Sequence, residues 1–456
     1  RFETDNGAGA DETIWGNAAP GQSYEIRADI VSFGDNLELN AESGQTLTII
    51  DTIDNAVNPD IGFGGTVDGA SDLVVSTPGQ VSFSASVGAM TPIGDGAGNA
   101  LDISGASIVS FLSSSRFAQA VLIESNDLSV AGNMTPASAD SFALTIRPVA
   151  LARNIRLGDA LAGTLNITTA EAVFLSQGWS SITVGSASGT GDITLGADIS
   201  FADPIVLRSG AAGGSFASTT GSDISGTGNA SIEIAVSAGA GDGISLGGNA
   251  TTEGDLITFG APATIANTSV TINTTSGGQT AGASIIFSGT VEDDAAGGSD
   301  RVLTLIRGAG QLSINHPIGS VRPLSLLEIR AQDLALATAP DATLHAQTIR
   351  LYTADGSGTI GIGGGAGTLN ISDAELDLLR YTGTAAGTGL IIGENGVQSG
   401  AITVQTAAPH SSAASARITI NSNNAAGSGT KTVTFDDGAA ATALATGGSG
   451  PITVNA

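Results

Sequence analysis

The sequence predicts an all-β protein, a right-handed parallel β-helix (solenoid) that carries two short helices. Three features of the 456 residues lead to this prediction. Short runs of alternating apolar and polar residues recur roughly every 10 to 20 residues along the chain. The chain has 65 glycines but only 4% aromatic residues, so its core must consist of small and branched side chains. A unit of roughly 200 residues also occurs twice, which is typical of a repeat protein.

The alternating runs are the predicted strands. Examples are Thr46–Ile50 (TLTII), 181–185 (SITVG) and 417–421 (RITIN). An alternation of period two places every second side chain on the same face of a strand. Gly, Asn, Asp or Ser closes most of these runs, and these residue types favour the tight turns that separate strands.

The long repeat appears when segments are aligned in chain order. Four pairs of segments match: 29–34 with 255–260, 63–68 with 287–292, 123–128 with 329–334, and 164–171 with 368–375. The order is the same in both copies. We therefore predict an N-terminal polar segment or cap at 1–28, a first repeat unit at 29–254 and a second at 255–456.

The last matching pair contains a helix-start signal. Thr168 and Glu171 in the first copy, and Ser372 and Glu375 in the second, have the spacing of a capping box. In that motif the hydroxyl and the carboxylate satisfy backbone N–H groups at the start of a helix. We therefore interpret both glutamates as structural rather than catalytic, and we predict a short helix after each, the second over 373–381. Gly178 and Gly383 stand where each helix would end.

A solenoid is favoured over the alternative fold, which is a string of tandem β-sandwich modules. A solenoid stacks its coils and needs few large side chains, whereas sandwich domains usually have a core tryptophan or several tyrosines. This chain has two tryptophans and three tyrosines. A β-helix of this length with about 20 residues per coil would have roughly 23 coils and a length of about 110 Å.

Charge excludes two classes of partner. The formal net charge is −28, because 43 acidic residues face 15 basic ones. Nucleic acids and anionic membranes both select for basic surfaces, so we expect neither nucleic acid binding nor membrane insertion. The sequence has no cysteine and no apolar run of about 18 residues, so disulfides, thiolate chemistry and a membrane-spanning helix are not expected.

Two acidic clusters are candidate calcium sites. They contain Glu292, Asp293, Asp294 and Asp300 in one cluster, and Asp436 and Asp437 in the other. Calcium binds six to eight oxygen atoms, which acidic loops supply. Neither cluster has the spacing of a known calcium loop, so a solvated charged turn is the favoured interpretation. No other cofactor is expected.

A resemblance to a family follows from the second copy. The segments 257–274, 282–294, 301–336, 368–379 and 389–404 resemble the repeats of very large bacterial surface proteins of the filamentous haemagglutinin and β-strand-repeat adhesin type. This resemblance covers most of 29–410. It implies an exported, extracellular or cell-surface β-helix that acts in adhesion, cell–cell contact or matrix formation.

Three functions are therefore considered. The leading hypothesis is a non-catalytic structural or adhesive segment that forms a rod, fibre or layer, and that continues in a longer chain or associates end to end. The second is a binding module for a cell-surface glycan or protein. The third is a polysaccharide-degrading β-helix enzyme, which the sequence disfavours: Asp436-Asp437 lacks the S-H-G and R-I-K motifs by which β-helical pectinases resemble one another.

Overall fold

The protein is a parallel β-helix in a computed structural model. The structure describes residues 2–4, 12–15, 23–39, 45–51, 60–95, 98–175, 178–210, 213–237, 243–294, 300–337, 342–409, 415–424, 426, 431–436, 443–444 and 450–456. Two compact units are present, one formed by 1–216 with 226–230 and the other by 217–225 with 231–456. No helix of the described residues has the length and apolarity needed to cross a membrane.

Unit 1 contains strands of three to eight residues, apart from a two-residue strand at 67–68, and one helix. Its elements are β1 (Phe2–Thr4), β2 (Glu12–Trp15), β3 (Ser23–Arg27), β4 (Val31–Phe33), β5 (Asn36–Leu39), β6 (Thr46–Ile50), β7 (Ile61–Phe63), β8 (Val67–Asp68), β9 (Asp72–Ser76), β10 (Gln80–Phe83), β11 (Asn99–Ala106), β12 (Ile108–Phe111), β13 (Ser115–Phe117), β14 (Ala120–Ser125), β15 (Leu128–Val130), β16 (Met134–Pro136), β17 (Ala143–Arg147), β18 (Ile155–Gly158), β19 (Leu165–Thr168), α1 (Thr169–Leu175), β20 (Ser181–Ser186), β21 (Ile193–Leu195), β22 (Ile199–Phe201) and β23 (Ile205–Ser209).

Every third strand of unit 1 joins the same sheet over most of its length. One sheet runs β1-β4-β7-β10-β12-β15, and another runs β3-β6-β9-β11-β14-β17-β20-β23. The pairs are parallel, because the chain returns to each sheet in the same direction after one coil. This arrangement excludes tandem sandwiches, which are antiparallel.

Unit 2 has longer strands in its middle. Two strands span the boundary region, β24 (Phe216–Ser218) and β25 (Ile224–Gly226). They are followed by β26 (Ile232–Val236), β27 (Ile244–Leu246), β28 (Ala250–Thr252), β29 (Ile257–Phe259), β30 (Ala263–Ile265), β31 (Ser269–Asn273), a 3-10 turn (Ser276–Gly278), β32 (Ile285–Phe287), β33 (Val291–Asp293), β34 (Val302–Ile314), β35 (Leu324–Leu336), β36 (Leu344–Tyr352), β37 (Ile360–Gly363), β38 (Leu369–Ile371), α2 (Asp373–Leu376), β39 (Leu379–Tyr381), β40 (Gly389–Ile392), β41 (Ile402–Gln405), β42 (Ile418–Asn421), β43 (Val433–Asp436) and β44 (Ile452–Asn455).

The largest sheet of unit 2 follows the same rule. It runs β28-β31-β34-β35-β36-β40-β42-β44, with β39 also paired to β36, and a four-stranded sheet runs β38-β37-β41-β43. A register shift in β34 lies between Ile306 and Gln311, where the β34–β35 pairing skips residues. This β-bulge bends the strand locally and changes which side chains it presents.

Aromatic side chains stack along the core of unit 1. Phe33, Phe63, Phe83 and Phe111 are buried and lie opposite one another in successive strands. Their ring centroids are 5.3, 4.6 and 4.8 Å apart, with the rings within 6° of parallel. In unit 2, Phe259 and Phe287 repeat this contact at 5.0 Å. Phe33 and Phe63 match Phe259 and Phe287 in the aligned segments, so the repeat includes this core contact.

The described strands of the predicted N-terminal segment 1–28, namely β1, β2 and β3, pair in parallel with β4, β5 and β6. One expectation about the second helix is wrong. The second helix ends at Leu376 rather than 381, since 379–381 forms β39 beside 344–346. Leu379 and Tyr381 are buried there, and this burial outweighs the helical pattern. Gly383 is therefore not a helix end. The predicted second repeat unit, 255–456, lies within unit 2, which also contains 217–225 and 231–254.

A glycine at the end of a strand is required in both copies. Gly158 ends β18 with φ +85°, and Gly363 ends β37 with φ +67°. A Cβ atom would lie 2.2 Å from the carbonyl oxygen of Ala197 in the first case and of Gln405 in the second. Both the backbone conformation and the close approach therefore favour glycine.

Replacing Gly363 by alanine should destabilise unit 2 by about 1–3 kcal/mol, because the residue combines positive φ with a backbone clash. The neighbouring Gly364 is the matched control: it is exposed, and only side-chain atoms approach its Cβ position. Gly364→Ala should change stability by less than about 0.5 kcal/mol. Urea unfolding measures both variants, and equal effects of the two substitutions would contradict this assignment.

Candidate functional site

Both predicted capping boxes have the expected hydrogen bonds. The Glu375 backbone N–H donates to Ser372 Oγ at 3.3 Å, and the Ser372 N–H donates to Glu375 Oε2 at 2.9 Å. In the first copy, Glu171 N–H donates to Thr168 Oγ1 at 3.3 Å and Thr168 N–H donates to Glu171 Oε2 at 2.9 Å. These carboxylates thus satisfy the N-terminal groups of α2 and α1.

Each of these glutamates has a second function that the sequence did not reveal. The other carboxylate oxygen accepts a hydrogen bond from the preceding coil, from Val130 N–H to Glu171 at 3.3 Å and from Leu336 N–H to Glu375 at 3.2 Å. One acidic side chain therefore fastens a helix to a strand about 40 residues earlier in the chain. The contact recurs at the matched positions of both copies.

The first candidate calcium cluster is occupied by donors of its own chain. Glu292 accepts hydrogen bonds from Ser320 Oγ, Val321 N–H and Arg322 N–H, at 2.8 to 3.3 Å. Glu292 is 7% exposed, so a solvated turn is the wrong interpretation of this residue. It is buried because it satisfies the backbone of a corner in the next coil.

Of the other acids in the clusters, Asp293 also differs from the expected solvated turn, whereas Asp300 and Asp436 are exposed. Asp293 is fully buried and accepts from the N–H groups of Asp300 and Arg301, at 3.1 and 3.2 Å. Asp294 forms an ion pair with Arg301 at 2.6 Å. Asp436 ends β43, while Asp437 lies outside the described residues. Among the described residues, no group of three acidic or histidine side chains has the geometry to hold a metal ion.

A network of four charged side chains and a tyrosine lies on the outer face of unit 2. Arg330 donates to both oxygens of Glu394 at 2.6 and 2.8 Å, and to Glu328 at 2.7 Å. Arg350 donates to the other oxygen of Glu328 at 3.2 Å. The Arg330 guanidinium also lies over the Tyr352 ring, 4.9 Å from its centroid, which is a cation–π contact.

Glu394 and Tyr352 in the network have shifted pKa values. Hydrogen bonds from Arg330 hold the pKa of the Glu394 carboxyl below its ordinary value. Burial raises the pKa of the Tyr352 phenol to about 12. The network arises because Glu328 pairs with Arg350, and Arg330 with Tyr352, in neighbouring parallel strands. Glu328 and Arg330 are two residues apart, as are Arg350 and Tyr352, so the members of each pair lie on the same face of their strand. Which of them meet across the two strands depends on the strand register, which the sequence does not give.

A cleft lies next to this network, where β36 ends. It has a volume of about 280 Å³ and is lined by Ala309, Gln332, Thr353, Ala354, Asp355, Ser357, Gly358 and Thr368. Its floor is fixed by a buried amide: Thr353 Oγ1 donates to Gln398 Oε1 at 3.0 Å, and Gln398 Nε2 donates to the Gly358 carbonyl at 2.7 Å. The cleft is therefore a defined feature of the fold.

Asp355 supplies the charge of the cleft. Ser357 donates its hydroxyl to one carboxylate oxygen at 2.7 Å and its N–H to the other at 2.9 Å. These two hydrogen bonds, the hydroxyl first, hold the pKa of the Asp355 carboxyl below its ordinary value. The lining residues include this one acid and no histidine, lysine or arginine. The cleft has the volume for a small ligand, and its lining lacks the carboxylate pair that glycoside hydrolysis needs.

Asp72, at the start of β9 in unit 1, is a buried acid with a raised pKa. Burial, and after it the charge of Asp95, raises the pKa of the Asp72 carboxyl to about 6. Because the ordinary pKa is about 3.9, the folded state binds this proton more tightly than the unfolded state does. The contribution of Asp72 to stability is therefore fully present below about pH 4 and is lost as the pH rises through 6.

Replacing Asp72 by asparagine should raise the urea midpoint at pH 7.5 and reduce the loss of stability between pH 4.5 and 7.5. The neutral amide avoids the cost of a buried charge and retains an oxygen for the hydrogen bond from Asp95 N–H. Asp377→Asn, at an exposed position of unit 2, is the control for removal of one negative charge. An Asp72→Asn variant with the same pH dependence as the wild type would show that this carboxyl does not titrate as described.

Comparisons with other proteins do not identify a function for the site. No family model, no curated protein and no solved structure matches this chain. The fold is therefore established by the strand pairing, and the function must be inferred from the side chains described above.

Proposed function

We propose that this chain is a non-catalytic structural and adhesive segment of a very large exported protein on a bacterial cell surface. It serves cell–cell or cell–surface contact by displaying the outer faces of its coils. The resemblance of 257–404 to filamentous haemagglutinin-type and β-strand-repeat adhesins is one support for this proposal.

The use of the acidic side chains is the observation that carries the proposal. Glu171 and Glu375 hold a helix against a strand in each copy, and Glu292 and Asp293 satisfy backbone N–H groups. Catalytic carboxylates must instead converge on a substrate. Carboxylates that accept hydrogen bonds from the backbone of their own chain stabilise the fold, which is the role expected of acids in a scaffold.

Charge supplies a second support. A net charge of −28 keeps such a chain soluble and directs it away from other anionic surfaces. Contact with a partner then has to use local features of the outer face. The cleft beside Asp355 is such a feature, and it favours a binding role over catalysis at that place.

An attachment assay tests the proposal. In the bacterium that makes the chain, an antibody raised against the purified chain should label intact cells, and in-frame deletion of this segment should lower attachment between cells or to surfaces. Complementation with the wild-type segment is the control for the deletion and should restore attachment. Detection of the chain only inside cells, unchanged attachment after deletion, or depolymerisation of a polysaccharide by the purified chain would contradict the proposal.

A further inference from the structure

The two copies differ at the cleft at two informative positions. Their strand pairings align them: Ile155 pairs with Leu165 in the first copy as Ile360 pairs with Leu369 in the second. Gly358, which lines the cleft, is two residues before β37, and Arg153 is two residues before β18. Gly358 of the second copy therefore corresponds to Arg153 of the first.

Two further residues of the cleft are aligned in the same way. Thr368 corresponds to Thr164, because each directly precedes the strand that leads into a capped helix. Gln332 corresponds to Asn126, because each directly precedes an aspartate, and that aspartate accepts a hydrogen bond from the matched Asn166 or Asn370. The cleft of the second copy thus has a counterpart in the first.

In the first copy an arginine side chain lies at this place. Arg153 Nε donates to the carbonyl oxygen of Asn126 at 3.0 Å, and one terminal nitrogen lies 3.5 Å from the carbonyl oxygen of Thr164. Two backbone carbonyls, one from each of two segments, therefore receive the guanidinium group.

In the second copy the corresponding residues line an open cleft. Gly358 contributes no side chain, and Gln332 and Thr368 form part of the walls. A volume of about 280 Å³ is larger than the roughly 150 Å³ of an engineered cavity that binds benzene, so a planar guanidinium with its methylene stem fits.

The second copy also has a carboxylate that the first copy lacks. Asp355 lies three residues before Gly358, at the position of Ala150. Its two hydrogen bonds from Ser357 keep it ionised and oriented at the rim. A carboxylate and a guanidinium form charge-assisted hydrogen bonds, which are stronger than bonds between neutral groups.

We infer that the cleft of the second copy binds an arginine side chain of a partner polypeptide. The first copy supplies its own guanidinium at the matched place, whereas the second copy offers the same kind of walls, an added negative charge and no side chain at residue 358. A basic partner segment also suits a chain with a net charge of −28. This inference rests on the adhesive part of the proposed function and names the chemistry of its partner.

A titration followed by saturation-transfer NMR tests the inference with a capped Gly-Arg-Gly peptide. The wild-type chain should bind this peptide at one site, and the same peptide with citrulline should bind at least about tenfold more weakly, because the charge is lost. Asp355→Asn should weaken binding of the arginine peptide by a similar factor, whereas Asp377→Asn should leave it unchanged. A methyl hexoside serves as the probe for a glycan site.

Gly358→Arg is the most specific variant, since an arginine at this position reproduces the first copy and should abolish peptide binding. If this variant does not fold, Ala309→Leu at the exposed rim should obstruct the cleft and lower binding. No binding of the arginine peptide, equal binding of the citrulline peptide, or binding of the hexoside alone would overturn the inference. None of these results depends on export or attachment, so the proposed function can stand if the inference fails.

Discussion

Stacking of inward side chains between parallel strands in register is the interaction on which the rest of this structure depends. A chain that returns to the same sheet after each coil places a new residue directly above the old one, at the strand spacing of about 4.8 Å. The phenylalanine rings at 33, 63, 83 and 111 follow this rule, with centroids 4.6 to 5.3 Å apart. Because few large residues are available, contact between coils has to supply the core that a globular domain would build around one centre.

The same geometry explains the use of acids inside the fold. Corners and helix ends leave backbone N–H groups without partners in the sheet, and these groups need acceptors when they are buried. Carboxylates of Glu171, Glu375 and Glu292 supply these acceptors. Asp203 does so as well, since it accepts from the N–H groups of Gly178 and Trp179 at 2.8 to 3.0 Å. Part of the acidic composition is therefore structural, whereas Asp355 beside the cleft is an oriented carboxylate at the surface.

Much of this fold could be predicted because its signals are local. Alternation of two residues marks the strands, and the spacing from Ser372 to Glu375 marks the start of α2. Features that depend on register could not be predicted in this way. The burial of Glu292 depends on a corner some 30 residues later in the chain, and the early end of α2 depends on the pairing of Tyr381 with Ala346. The cleft lies where the second copy has Gly358 and the first copy has Arg153. This correspondence can be recognised only after the strands of the two copies are aligned.

A double-mutant cycle on Phe63 and Phe83 measures the central interaction most directly. Unfolding free energies of Phe63→Leu, Phe83→Leu and the double variant should give a coupling of about 0.5–1.5 kcal/mol, as expected for stacked aromatic rings. Phe117 is buried in the same unit and stacks on neither ring, so a cycle on Phe63 and Phe117 should be additive within about 0.5 kcal/mol. Additivity in both cycles would contradict stacking between coils as the basis of the fold.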